Sequence, residues 1–300
     1  MLAYLALAAA MVAGANPLEP GDHKRALTCG GIRRSYIVHV PPGVNRSKPA
    51  PVVLALHGAA MDGSMMAWFS GLNRKADEAG FIAVYPSGTG FGPLKAWNSG
   101  GLSGPLAAGK PDDVAFISSL LDDLETVARV DTKRVYACGL SNGGMMCYRL
   151  ASELSGRIAA IAPVAGTVTV EPSKPSRPVP VIHFHGTGDT IVPFEIKRGK
   201  GPPFVKLKGV RESVGLWVEI NGCHDAKPAE TLAQPPEDLP VIRETWTGGK
   251  NGSEVVLVTI KDGGHTWPGE KPPVGFIGKS TRKVSANDLI WEFFQRHPMK

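Results

Sequence analysis

The sequence predicts one α/β domain built on a doubly wound, mostly parallel sheet. Three observations carry this. Short apolar runs that stop at glycine or proline alternate with stretches whose apolar residues recur every three or four positions. No break in composition divides the 300 residues. Finally, RVYACGLSNGGMMCYRL at residues 134–150 reads as a buried strand, a hard turn and a helix in direct succession. With 43% hydrophobic and 20% charged residues, a sizeable core is available and disorder of the whole chain is excluded.

The chain opens on MLAYLALAAAMVAGAN, an apolar segment ending in the small-x-small pattern Ala13-Gly14-Ala15. It lacks a positive n-region, yet reads best as a signal peptide over residues 1–15. The expectation is a secreted or periplasmic protein whose single domain fills residues 16–300. Nothing later approaches the length of a membrane span, so the mature protein is expected to be soluble.

RRSYIVHV, residues 33–40, is a strand ended by Pro41-Pro42, and PVVLALHG, residues 51–58, is a continuous apolar run expected of a parallel strand covered on both faces. A helix is expected from 68 to 79, stopped at Gly80, followed by the strand FIAVYP at 81–86. Residues 87–111 form a glycine-rich stretch containing Trp97, too long for an ordinary connection and therefore a candidate functional loop. Asp112 and Asp113 cap a helix whose apolar positions are Val114, Ile117, Leu121 and Leu124. After the strand, turn and helix of 134–150 come buried strands at 158–166 and 179–186, a basic glycine-rich loop at 196–209 and a helix at 210–220 ending at Asn221-Gly222. Strands at 241–246 and 254–260 join through Gly248, Gly249 and Asn251-Gly252. The last helix starts after Ser285 and buries Leu289, Ile290, Phe293 and Phe294.

The turn at 139–143 is G-x-S-x-G around Ser141. Side chains at the two glycine positions would collide with neighbouring backbone, and the cramped corner lifts the serine hydroxyl clear of the sheet. The following helix points free N–H groups and its positive end at developing negative charge. A serine nucleophile needs a base, and the base an orienting carboxylate. Asp189 lies in HFHGTGDTIVP just past a buried strand, and His265 in KDGGHTWPG just past another, giving the order Ser, Asp, His. Asp112, Asp113 and Asp262 are the competing carboxylates, the first two as helix caps and the third as a loop brace. His57 reads as packing under the next loop. His183 and His185 share a strand face and form a conceivable metal pair, but no third ligand is evident, so the expectation is no metal and no cofactor. The two oxyanion-hole donors are expected to be the N–H of Asn142 and that of Ala59, with Ala60 the next choice.

A formal charge of +6 is spread thinly, and no basic helix or zinc pattern accompanies it, which argues against a nucleic-acid partner. There is no P-loop or dinucleotide fingerprint. Of four cysteines, Cys138 and Cys147 are expected to be buried thiols, and Cys29 and Cys223 are the better disulfide candidates if the chain is exported.

LALHG, GLSNGG, HGTGD with the following VP, DGGHTWPG and SANDLIWEFFQRHP together resemble the secreted polyhydroxybutyrate depolymerase-like and feruloyl/acetylxylan esterase family of α/β-hydrolases. The resemblance covers residues 33–298. It implies Ser141 as nucleophile, Asp189 and His265 as acid and base, and an oxyanion loop after His57-Gly58. AWN at 96–98 and DDVAFI at 112–117 are also similar, implying Trp97 on the ester pocket and Asp112 and Asp113 beneath it. Trp267, two residues past the candidate base, is a second aromatic candidate for that pocket. The expected activity is acyl-enzyme hydrolysis of soluble short-acyl or aromatic-acyl esters, on small molecules or oligosaccharides. Depolymerisation of polyhydroxybutyrate is the alternative within the family, disfavoured by the lack of an appended binding module. A peptidase is disfavoured by the lack of a propeller or cap domain, and a non-catalytic binding protein by the presence of all three triad residues. The oligomeric state is open.

Overall fold

The computed structural model describes residues 17–92, 94–101, 111–169, 175–196, 207–236 and 238–300. The expected signal peptide lies outside them, as do most of the basic loop and part of the stretch after Trp97. Six parallel strands form the centre of the sheet, in spatial order Ile82–Pro86 (β4), Ala50–Leu56 (β3), Val130–Leu140 (β7), Ile161–Val164 (β8), Val181–Gly186 (β9) and Val255–Ile260 (β13). All seven residues of β3 and all six of β9 and β13 are buried, which is why these segments read as unbroken apolar runs.

Antiparallel strands flank this centre. Gly21–Cys29 (β1) and Ile32–Val40 (β2) pair over nine residues beside β4, and Val241–Thr247 (β12) lies beside β13 with Asp225–Ala226 (β10) and Glu230–Ala233 (β11) against it. β1, β10 and β11 are absent from the sequence expectation. β1 alternates half-buried and exposed positions, and its half-buried side includes His23 and Arg25, so its apolar signal is thin. A two-stranded hairpin, Thr89–Phe91 (β5) with Leu94–Ala96 (β6), stands apart from the main sheet.

Among the described residues six α-helices cover the two faces: Gly63–Ser70 (α1), Leu72–Ala79 (α2), Asp113–Glu125 (α3), Asn142–Glu153 (α4), Val210–Asn221 (α5) and Ala286–Arg296 (α6). Phe116, Leu120, Met146, Leu150 and Trp217 place α3, α4 and α5 on one face. Met66, Ala76, Ile290 and Phe293 place α1, α2 and α6 on the other, where Phe294 stacks on Tyr136 at 4.5 Å. Each buried Leu, Ile, Met or Phe among them contributes about 1.5–3 kcal/mol by leaving water. The single helix expected at 68–79 is two: Gly71 adopts φ 58°, ending α1 and opening α2, while Asp62 starts α1 earlier by accepting the N–H of Met65. Capping at Asp112 and Ser285 is as expected.

All four cysteines are free, which corrects the expected Cys29–Cys223 pair. Cys29 ends the edge strand β1, whereas Cys223 follows α5, which packs on β9 and β13. Seven strand spacings of about 4.8 Å separate β1 from β13, far beyond the ~7 Å between Cα atoms that a disulfide tolerates. No helix among the described residues is long and apolar enough to cross a membrane. Because the central strands are parallel, Leu56, Leu140, Gly186 and Ile260 all end at one edge of the sheet, and the loops beyond them meet there.

Candidate active site

Ser141 sits between β7 and α4 with φ 56° and ψ −117°, a conformation that costs energy for any residue with a Cβ. Its N–H donates to Val164 O at 2.8 Å, which pins the corner to β8. The glycines on either side are required by space. A Cβ on Gly139 would lie 2.6 Å from Gly143 backbone, and one on Gly143 would lie 2.2 Å from Leu56 O. The loop after β3 lies in ordinary contact distance, since a Cβ on Gly58 would be 3.6 Å from Ser141 Cβ. Two N–H groups flank the serine along these segments, those of Ala59 and Asn142, and among the described residues neither has an acceptor. Ala60, the second choice from sequence, donates its N–H to Lys95 O at 2.8 Å. Asn142 is also the first residue of α4, where the helix macrodipole is positive.

Asp189 is buried in the loop after β9. Its Oδ1 accepts the N–H groups of Ile191 and Val192 at 2.8 and 2.9 Å, and its Oδ2 accepts Nδ1–H of His265 at 2.7 Å. Burial pushes this carboxyl up, but the hydrogen bonds from His185 and His265 outweigh it and hold Asp189 well below the usual carboxylate range. The carboxylate is therefore ionised and can only accept, which fixes the His265 proton on Nδ1 and leaves Nε2 as the basic nitrogen. The two loops are joined backbone to backbone. Thr187 N–H donates to Ile260 O and Gly188 N–H to Gly263 O, while His265 N–H is held separately by Ile277 O at 2.6 Å. Among the described residues Asp262 bonds Thr187 Oγ1 through its N–H, so this competing residue braces the loop through its backbone.

The remaining candidates fall into packing roles. His57 is fully buried, its Nε2 accepting Gly88 N–H at 2.9 Å and its Nδ1 donating to Gly58 O at 2.7 Å. Burial pushes its pKa down to about 4, so it is neutral and has no free nitrogen for a base. His183 and His185 bond each other and Tyr148 and Val192 O, which leaves no lone pair for a metal. Among the described residues no group of three His, Cys, Asp or Glu side chains could hold a metal ion. Asp112 caps α3 through Ala115 N–H. Asp113 is buried, pairs with Arg34 at 2.6 Å and accepts Asn98 N–H at 2.6 Å. It braces the segment that carries Trp97.

The aromatic-bordered pocket is a second correction. Trp97 is wholly buried, its ring 4.9 Å from that of His57 and its Nε1–H donating to His57 O at 2.9 Å. Trp267 is equally buried and donates to Asn287 Oδ1 at 2.9 Å. Each indole has an apolar body and one donor, and the fold satisfies both in its interior. Among the described residues, both rings lie in the interior with their N–H groups paired.

Sequence reasoning missed the Asn142 side chain, which holds Trp97 backbone, the buried Arg34–Asp113 pair, and the contact of His185 with the Asp189 loop. Only the last had a usable signal, the two-residue spacing of His183 and His185 immediately before the acid.

A family model described as Esterase PHB depolymerase matches residues 34–194. The putative esterase NocK of Nocardia uniformis subsp. tsuyamanensis is 32% identical over 284 residues, covering 90% of this chain and 81% of that one. The bifunctional acetylxylan esterase/xylanase XynS20E of Neocallimastix patriciarum is 34% identical over 247 residues, covering 82% of this chain and 32% of its own length. The chain thus spans about a third of that relative. Among solved structures, the acetyl xylan esterase from Aspergillus awamori superposes with a TM-score of 0.62 at 15% identity, over 91% of this chain and 99% of that one.

Proposed function

The chain belongs to the esterase PHB depolymerase family and is a serine esterase of α/β-hydrolase fold, and from that premise we propose that it hydrolyses soluble carboxylic esters of short-acyl or aromatic-acyl type through an acyl-enzyme. The observation that carries the mechanism is the hydrogen bond from His265 to Asp189 on the sheet edge where Ser141 also lies. In this reading Ser141 Oγ attacks the ester carbonyl while His265 Nε2 takes its proton. The N–H groups of Ala59 and Asn142 bind the oxyanion, and protonated His265 gives its proton to the leaving alcohol. Water then repeats the cycle on the acyl-enzyme. Asp189 stays ionised throughout and stabilises the imidazolium.

Both acyl classes have support, since acetylxylan esterase and feruloyl esterase are both named among the relatives. The burial of Trp97 and Trp267 argues only against stacking of a flat acyl group on those two rings. Export through residues 1–15 belongs to the same proposal, resting on the apolar start and its Ala13-Gly14-Ala15 end; N-terminal sequencing of protein recovered outside the cytoplasm tests it. The substrate test is kcat/KM on a matched panel of an acetylated xylooligosaccharide, methyl ferulate, a hydroxybutyrate trimer and p-nitrophenyl esters from acetate to octanoate. Acetyl or feruloyl esters are expected to lead. A hydroxybutyrate trimer that exceeds every other substrate would move the assignment to depolymerisation.

A further inference from the structure

Behind Asp189 lies a row of buried polar groups that the acyl-transfer steps do not use. Tyr148 on α4, seven residues after Ser141, bonds Nδ1 of His183 at 2.8 Å. His183 Nε2 bonds Nδ1 of His185 at 3.1 Å, with the two ring planes 2° from parallel. His185 Nε2 lies 2.8 Å from Val192 O and 3.4 Å from Asp189 Oδ2. Tyr148, His183 and His185 are all essentially without solvent exposure.

The proton positions follow from the ends of the row. Val192 O can only accept, so His185 Nε2 carries hydrogen. Burial, and the neighbouring His185, hold His183 far below the usual imidazole range, so it is neutral. With its hydrogen on Nε2, His185 can accept at Nδ1; His183 then donates from Nε2, and Tyr148 donates to the bare Nδ1 of His183. Every group is satisfied in this one direction. In the reverse direction a bare His185 Nε2 would face the lone pairs of Val192 O and Asp189, at the cost of an unpaired buried acceptor.

The geometry points to His185 as a positioning residue for the candidate acid, held in its donor tautomer by His183 and Tyr148. Val192 is the mechanical link. Its O accepts from His185 while its N–H donates to Asp189 Oδ1, so the peptide segment carrying the carboxylate is held from both sides. The row thereby ties the nucleophile's helix to the acid's loop across β9. This inference rests on the proposed triad, but its test separates the two.

The experiment compares His185→Leu, His185→Gln and Tyr148→Phe in the full chain, after thermal unfolding confirms that each is folded. His185→Leu is expected to lower kcat about 10- to 10²-fold with KM changed less than about twofold, since small displacements of a catalytic group have that effect. His185→Gln keeps a donor near the Nε2 position and is expected to recover most of the loss. Tyr148→Phe is expected to cost roughly two- to tenfold, the scale of one buried hydrogen bond. Independently of activity, the low-field proton NMR resonance of the His265 Nδ1–H bonded to Asp189 is expected to broaden or disappear in His185→Leu and to persist in His185→Gln. A folded His185→Leu protein with unchanged kcat and an unchanged resonance would overturn the inference, as would equal losses in the Leu and Gln variants. If the wild type hydrolyses no ester, the function reading fails while the resonance still decides the role of His185.

Discussion

The side-chain amide of Asn142 grips the backbone of Trp97 from both ends. Its Oδ1 accepts Trp97 N–H at 2.6 Å and its Nδ2 donates to Trp97 O at 3.2 Å. The residue proposed to offer its own N–H to the oxyanion therefore also ties the long loop to the elbow. Asn142→Ala keeps the backbone donor and loses the grip. Its expected cost is about 1–3 kcal/mol of stability, the scale of two or three partly buried hydrogen bonds. Urea denaturation measures this, and a loss under about 0.5 kcal/mol would show that the loop is held elsewhere.

The Arg34–Asp113 pair supports the same loop from beneath. Both side chains are buried, Arg34 also donates to Ser87 O, and Asp113 also accepts Asn98 N–H. Asp113→Ala strands a buried guanidinium and is expected to destabilise by about 3–5 kcal/mol. Arg34→Met together with Asp113→Ala removes both charges and is expected to be milder than Asp113→Ala alone. Equal destabilisation by the single and double variants would contradict this account.

Acid should weaken the fold first through its buried histidines. The folded pKa of His57 is near 4, pushed down by burial, while the unfolded chain titrates near 6.5. Between those values the unfolded state binds a proton that the folded state refuses, so stability falls as pH drops from about 6.5 to about 4, by on the order of 3 kcal/mol. His183 acts in the same direction. At lower pH Glu254, held down to about 2 against burial by His297 and Arg296, adds a second loss as pH falls from its unfolded value near 4.5. Chemical denaturation across pH 4 to 7 checks the first window. His57→Gln, which keeps an acceptor for Gly88 N–H, is expected to flatten it.

The parts of this fold that announce themselves in the sequence are those with one dominant cause. β3, β9 and β13 are buried on both faces and leave unbroken apolar runs. The elbow leaves glycines at Gly139 and Gly143 because backbone fills the space a Cβ would need. Ser141, Asp189 and His265 lie just past strand ends, which is where their order and spacing in the sequence place them. What stays hidden depends on distant partners. β1 exists because β2 offers it an edge, and its own residues are mixed. Whether Trp97 faces a ligand or the core is decided by His57, 40 residues away in sequence. The free state of Cys29 and Cys223 follows from the order of strands across the whole sheet.

The assignment of the acid separates two carboxylates that both lie near His265. Asp189→Asn is expected to lower kcat by roughly 10²- to 10⁴-fold, because the amide no longer stabilises the imidazolium or enforces its tautomer. Asp262 contributes through its backbone N–H, so Asp262→Asn is expected to leave kcat within about twofold. The reverse outcome would reassign the acid.

The central claim is that Ser141 is the nucleophile of an esterase, and Ser141→Ala tests it most directly, assayed with p-nitrophenyl acetate beside the wild type. The account expects hydrolysis to fall by at least about 10³-fold while the thermal transition stays within a few degrees, since removing one triad member leaves only residual catalysis. A folded Ser141→Ala protein that hydrolyses the ester at the wild-type rate would contradict it.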